Sequence, residues 1–154
     1  MVNLTQLKAE LQADPAGRGY MAHVPHAPGA LADLLNAPTA TLAKTRMVTA
    51  RGIMASYGLG PAGGAAFLDK LEALAANVPA IKWALKFLQT EAGIDIGEPA
   101  TQLMLTSLIG VGGITADEVN GVKALALQPA SRAEVLFGAG TQISEADVRA
   151  ALEA

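Results

Sequence analysis

Apolar residues recur along this chain at helical spacing almost everywhere and alternate almost nowhere. Leu4, Leu7 and Leu11 form a first stripe, with Asn3 placed to cap it and Gln6 three residues on to close a capping box. Asp14-Pro15 ends that helix, because the residue before a proline is pushed out of the α region. Gly17, Gly19, Pro25, Pro28 and Gly29 then predict a loop over 16–29. A short helix over 30–36 follows, burying Leu31, Leu34 and Leu35, and Pro38 stops it. Residues 44–48 read as extended but too short to found a sheet. Thr49 starts the next helix, with Ile53, Met54 and Tyr57 turned inward and Gly58 at its C-terminal cap.

Phe67, Leu68, Leu71 and Leu74 predict a helix over 62–76. Pro79 suits the first position of another, which carries Ile81, Trp83, Ala84, Phe87 and Leu88 and ends by Gly93. Pro99 opens the most apolar helix, with Leu103, Met104, Leu105, Leu108 and Ile109, closed by Gly110 and Gly112-Gly113. Being apolar almost all round, it is expected at the centre. Thr115-Ala-Asp-Glu118, Ser131-Arg-Ala-Glu134 and Ser144-Glu-Ala-Asp147 are three helix starts, of which the first two have the glutamate that reaches back best. They introduce Val119, Val122 and Leu125, then Val135 and Leu136, then Val148 and Leu152. The predicted fold is all-α: eight or nine short helices in one orthogonal bundle, a single domain over 1–154, with little or no strand.

Composition changes this picture mainly at the surface. Charged residues make up 16% of the 154, against about 25% in an ordinary soluble domain, and the mean hydropathy is +0.34. Such a chain lacks the charge to cover its own outside, so either much alanine and glycine face water or part of the surface is covered by another protein. The alanine-rich faces 62–66 and 73–76 allow close backbone approach in a homo-oligomer or symmetric assembly. The net charge of −3 and the scattering of the eleven basic residues, singly or in loose pairs such as Lys82 and Lys86, make nucleic acid an unlikely main partner. The absence of cysteine excludes a disulfide scaffold and thiol catalysis. The apolar stretch 103–111 contains Thr106, Ser107 and Gly110 and falls far below the roughly 20 residues of a membrane helix. Lys8, Glu10 and Asp14 interrupt any leader-like apolar run, so the expectation is a soluble chain made in the cytoplasm, with no membrane partner.

Candidate chemistry is sparse. Gly58-Leu-Gly60-Pro-Ala-Gly63 has the letters of a dinucleotide-binding loop, but a helical segment precedes it and Pro61 removes an amide. Trp83 falls where the ribose-binding acid belongs. His23-Val-Pro-His26, with Asp33 as a third donor, is the one pattern that suggests a metal, yet a proline loop does not preset the geometry. A loose helix-turn-helix can be drawn over 115–137, although its second helix offers only Arg132 and carries Glu134, which phosphate repels. Phe67, Trp83 and Phe87 sit at helical spacing among leucines and read as core. No nucleophile elbow, zinc-protease motif or framed pair of carboxylates occurs. The sequence therefore predicts no enzyme, no catalytic, cofactor-binding or metal residues, and no cofactor.

Two segments carry a resemblance. Leu7-Lys-Ala-Glu10-Leu, followed by Asp14-Pro-Ala-Gly17-Arg18-Gly19-Tyr20, resembles the opening of a widespread group of small tailed-phage and prophage proteins. Pro129-Ala-Ser131-Arg132-Ala-Glu134-Val-Leu-Phe137-Gly138, then Ile143 and Asp147-Val148, resembles the ending of the same group. Together they cover about a quarter of the chain, and the middle, 21–113, departs from the group. The resemblance implies a phage virion or morphogenesis protein without enzymatic activity. In physical terms Arg18 can reach carbonyls at the end of the first helix or pair with Asp14, and Tyr20 anchors the loop with its hydroxyl outward. Arg132 and Glu134 fall on the first turn of a short helix, where the acid suits the dipole.

The expected function is a non-enzymatic structural protein of a tailed-phage virion, bound to capsid or tail subunits after synthesis in the bacterial cytoplasm. The alternative is an assembly helper, tail-assembly chaperone-like and absent from the mature particle. A small DNA-binding or packaging accessory ranks third, and a small-ligand enzyme last.

Overall fold

A computed structural model describes residues 2–58 and 60–154. Its helices are α1 (Leu4–Ala13), α2 (Pro28–Asn36), α3 (Ala50–Ser56), α4 (Gly60–Ala75), α5 (Pro79–Leu88), α6 (Pro99–Ser107), α7 (Ala116–Ala124), α8 (Arg132–Phe137) and α9 (Glu145–Glu153). The protein is thus mostly helical, as the spacing of apolar residues predicts. Four short strands join the helices: β1 (Ala40–Ala43), β2 (Met47–Val48), β3 (Ile94–Asp95) and β4 (Leu127–Ala130). They pair as β1 with β4 and as β2 with β3. In the second pair, antiparallel, Met47 lies opposite Asp95 and Val48 opposite Ile94.

The chain gathers into two compact units, Met1–Leu42 with Pro129–Ala154, and Ala43–Gln128. In the first, α9 packs on α1 and α2, and α8 packs on α2. Leu7, Leu11, Tyr20, Leu31, Leu35 and Val148 are fully buried there. The predicted cap holds at α1, where the Asn3 side chain accepts from the Gln6 amide at 3.0 Å. The predicted capping box does not form, because Gln6 Nε2 instead donates to the Leu136 carbonyl at 3.5 Å. The loop over 16–29 is shorter than predicted. It contains a 3-10 turn at Tyr20–Ala22, and α2 starts two residues early, with Pro28 in its first turn.

In the second unit, α3, α4 and α5 stack in sequence and α6 packs on α7. Phe67 is fully buried, with Ile53, Val119 and Val122 around the same core. Gly64 matters here, since a Cβ would sit only 3.0 Å from the Met54 backbone where α3 and α4 meet. Gly93 turns the chain into β3 at φ +70, pressed against the Val48 carbonyl. Three sequence expectations fail in this unit. Met54 points outward from α3, although Ile53 and Tyr57 are buried as predicted. The α6 helix is not central: Leu105 and Leu108 are buried, but Leu103 is 72% exposed, because a short helix with one main helical neighbour covers only one face. Trp83 and Phe87 are exposed rather than core, since α5 turns Ile81 and Leu88 inward instead.

The strands overturn two further expectations. Residues 44–48 do contribute to a sheet, through β2. The helix-turn-helix over 115–137 does not exist, because β4 occupies the place of its turn. All three C-terminal starts form full capping boxes, Asp147 included: its Oδ2 accepts from the Ser144 amide at 2.9 Å. Hydrogen bonds from the Ser144 hydroxyl and amide also hold the Asp147 carboxyl below its ordinary range.

Candidate functional site

The two motif-bearing segments come together in the first unit. Asp14 closes α1 in the left-handed region at φ 40, leaving its carboxylate above the following turn. Oδ1 accepts from the Arg18 amide at 2.7 Å, and Oδ2 from the Gly19 amide at 2.7 Å and the Tyr20 amide at 3.4 Å. These bonds, led by the one from Arg18, hold the Asp14 carboxyl below its usual range. Arg18 reaches past the expected helix: its Nη1 donates at 3.1 Å to the Leu34 carbonyl in the last turn of α2, not to α1. Tyr20 corrects the prediction as well. Its ring anchors the loop, but its hydroxyl is buried and has no hydrogen-bond partner among the described residues. Burial, reinforced by the Glu10 charge, pushes that hydroxyl up to about 12.

Beside it lies an ion pair that the sequence did not announce. Glu10 is 5% exposed, and both of its carboxylate oxygens accept from Arg132, at 2.7 Å from Nε and 2.7 Å from Nη2. The bidentate geometry raises the Arg132 guanidinium above its already high ordinary value. The opening motif and the closing motif are therefore linked by one buried pair. Its signal was present, though faint: Glu10 interrupts the apolar positions of α1, three residues after Leu7 and beside Leu11.

The polar cleft nearby, about 210 Å³, has Asn36, Ser131, Glu134 and Gly140 in its wall. Its side chains already serve the fold. Asn36 exchanges two bonds with the Ile143 backbone, at 2.8 and 2.9 Å. Glu134 accepts from the Ser131 amide and the Gly140 amide, both at 2.9 Å.

The second unit carries different features. An inner cavity of about 30 Å³ is walled by residues including Phe67, Ile81, Leu105 and Leu108, with Thr101 its one polar residue. It has room for about one water but lacks the several polar partners a water needs. At the edge of this unit Lys70 Nζ donates to both oxygens of Glu118, at 2.7 and 2.9 Å, and to the Gly113 carbonyl at 2.8 Å. That lysine, with the Thr115 amide, lowers the Glu118 carboxyl.

The remaining predicted positions stay apart or lead elsewhere. His23 is half-buried and His26 exposed, and among the described residues no three metal-capable side chains, Asp33 included, form a cluster. The glycine-rich segment 58–63 is entered from helix α3 rather than from a strand, so it lacks the geometry that delivers a pyrophosphate to a helix start. Leu59 of that segment lies outside the described residues. No helix is long and apolar enough to cross a membrane among the described residues.

What distinguishes the second unit is its outside. Of ten large apolar side chains exposed among the described residues, eight belong to Ala43–Gln128, and the exceptions are Met21 and Val135. Comparison with family models, with curated proteins and with solved structures finds no match.

Proposed function

We propose that this chain is a non-enzymatic structural protein of a tailed-phage virion, present in many copies and attached to capsid or tail subunits. The observation that carries the reading is the uneven distribution of exposed apolar side chains. Eight of them on one unit of a chain with 16% charged residues give that unit a surface suited to protein contacts. The motif residues fit the same reading in another way. Asp14, Glu10 and Arg132 are committed to hydrogen bonds within the fold, and Arg18 donates from Nη1 to the Leu34 carbonyl, as expected of residues that maintain a scaffold. In this reading the first unit is the scaffold shared with the phage group, and the second unit makes the contacts.

Quantitative mass spectrometry of purified particles from cells carrying the encoding phage or prophage tests the proposal. Hundreds of copies per particle match the proposed lattice or tail-tube component, whereas a handful keeps the virion role, as a connector or tail tip, and overturns the many copies. Absence from mature particles, with abundance in the infected cell, overturns the structural reading and leaves the assembly helper.

A further inference from the structure

Helix α5 presents an outer face of unusual composition for this chain. Lys82, Trp83, Lys86 and Phe87 fall one and four residues apart, so they share one side of the helix. All four are exposed, and the two aromatic residues, at 55% and 56%, leave more than half of their surface in water. Lys86 Nζ lies 4.4 Å from the Trp83 ring centroid, which presets the ring and the charge together. Among the described residues, Lys82 and Lys86 make no ion pair with a carboxylate of this chain. The face is thus aromatic, cationic and uncommitted.

Its complement is on the neighbouring helix of the same chain. The outer face of α4 exposes Ala62, Ala66, Asp69 and Ala73 at spacings of four, three and four, with Glu72 beside them. Small side chains there leave room for two aromatic rings, and large against small is how helices interdigitate. Asp69 and Glu72 likewise make no ion pair among the described residues. Both size and charge therefore match: rings and lysines on α5, alanines and carboxylates on α4.

We propose that copies of this protein associate through the α5 face of one molecule against the α4 face of another, with Trp83 and Phe87 as anchors and Lys82 and Lys86 opposite Asp69 and Glu72. The inference rests on the many-copy reading above and names a surface through which copies meet. A ten-residue helix is about 15 Å long, so the contact falls at the small end of specific interfaces. It is weak between two molecules and gains strength when repeated in an array.

Trp83 is the only tryptophan in the chain, so its emission reports on the proposed contact. Sedimentation velocity and tryptophan fluorescence on the purified full chain, from about 10 to 500 µM, form the test. Mass is expected to rise with concentration while Trp83 emission moves to shorter wavelength, and added salt is expected to reverse both. The double variants Lys82→Glu/Lys86→Glu and Asp69→Lys/Glu72→Lys, each checked for helical content, are each expected to weaken association by about tenfold or more. An equimolar mixture of the two is expected to associate again. A constant monomer mass with unchanged emission overturns the proposal, as does association that both charge reversals leave intact. Particle composition bears on the virion reading alone, and this solution experiment bears on the contact alone.

Discussion

In the first unit, an aspartate that gathers three backbone amides and a buried carboxylate–guanidinium pair hold the chain in place. Both units have an apolar core, and in the second the ion pair sits at the edge of that core. Glu10 and Arg132 have side chains 4% and 22% exposed, and Glu118 and Lys70 11% and 33%. The outer surfaces divide the other way, since most exposed apolar side chains belong to the second unit. The first unit buries its ion pair more deeply and exposes few large apolar side chains, whereas the second exposes most of them. This division separates residues that maintain a fold from residues available for contact.

The largest expected effect tests the core side of the comparison. Phe67 is fully buried and stacks on Tyr57 with ring centroids 6.3 Å apart. Phe67→Ala is expected to cost about 3–5 kcal/mol in urea denaturation, from lost burial and the cavity left behind. Hydrogen exchange is expected to place the loss in 43–128. A cost below about 1 kcal/mol means that this core does not support the second unit.

A smaller effect separates the two ion pairs. Glu10→Ala leaves the Arg132 guanidinium partly buried and unpaired, an expected cost of about 3 kcal/mol. Lys70→Ala removes the more exposed partner and leaves the buried Glu118 carboxylate with the Thr115 amide still bonded to it, with a smaller expected cost of about 1–2 kcal/mol. Equal costs in the same denaturation series remove the contrast between the units.

Where the sequence was legible, the signals were local. N-caps at Asn3, Thr49, Thr115, Ser131 and Ser144 all form, because a side chain three residues from its amide needs no distant partner. Prolines 79 and 99 open helices for the same reason. The misreadings concern which face of a helix finds a partner. Trp83 and Phe87 have the spacing of core residues, and so does Leu103, yet spacing alone does not state which of two apolar faces is covered. The strands escaped because two-residue pairs such as Met47–Val48 with Ile94–Asp95 are too short to show alternation. Glu10 with Arg132 escaped because 122 residues separate them, and a single acid in an apolar stripe does not name its partner.

The smallest effect concerns the buried hydroxyls, which both units contain. Tyr20 and Tyr57 are the only tyrosines, and each has its hydroxyl buried without a hydrogen-bond partner among the described residues. Removing such a group relieves a desolvation cost, so Tyr20→Phe is expected to stabilise the protein by about 1 kcal/mol at neutral pH. Alkali separates it further from the parent. Burial raises the Tyr20 hydroxyl from 10.0 to about 12 in the folded chain, so the neutral form is favoured by folding. That contribution is complete below pH 10 and is lost as pH rises through about 12, because the unfolded chain ionises first. The advantage of Tyr20→Phe is therefore expected to grow between those values. Tyr57 is also raised, chiefly by burial, and Tyr57→Phe supplies the counterpart in the second unit. Alkaline absorbance titration of the two single variants assigns each tyrosinate. A Tyr20 that ionises near its ordinary value places its hydroxyl in water, and the buried polar side of the comparison then rests on Glu10 and Arg132 alone.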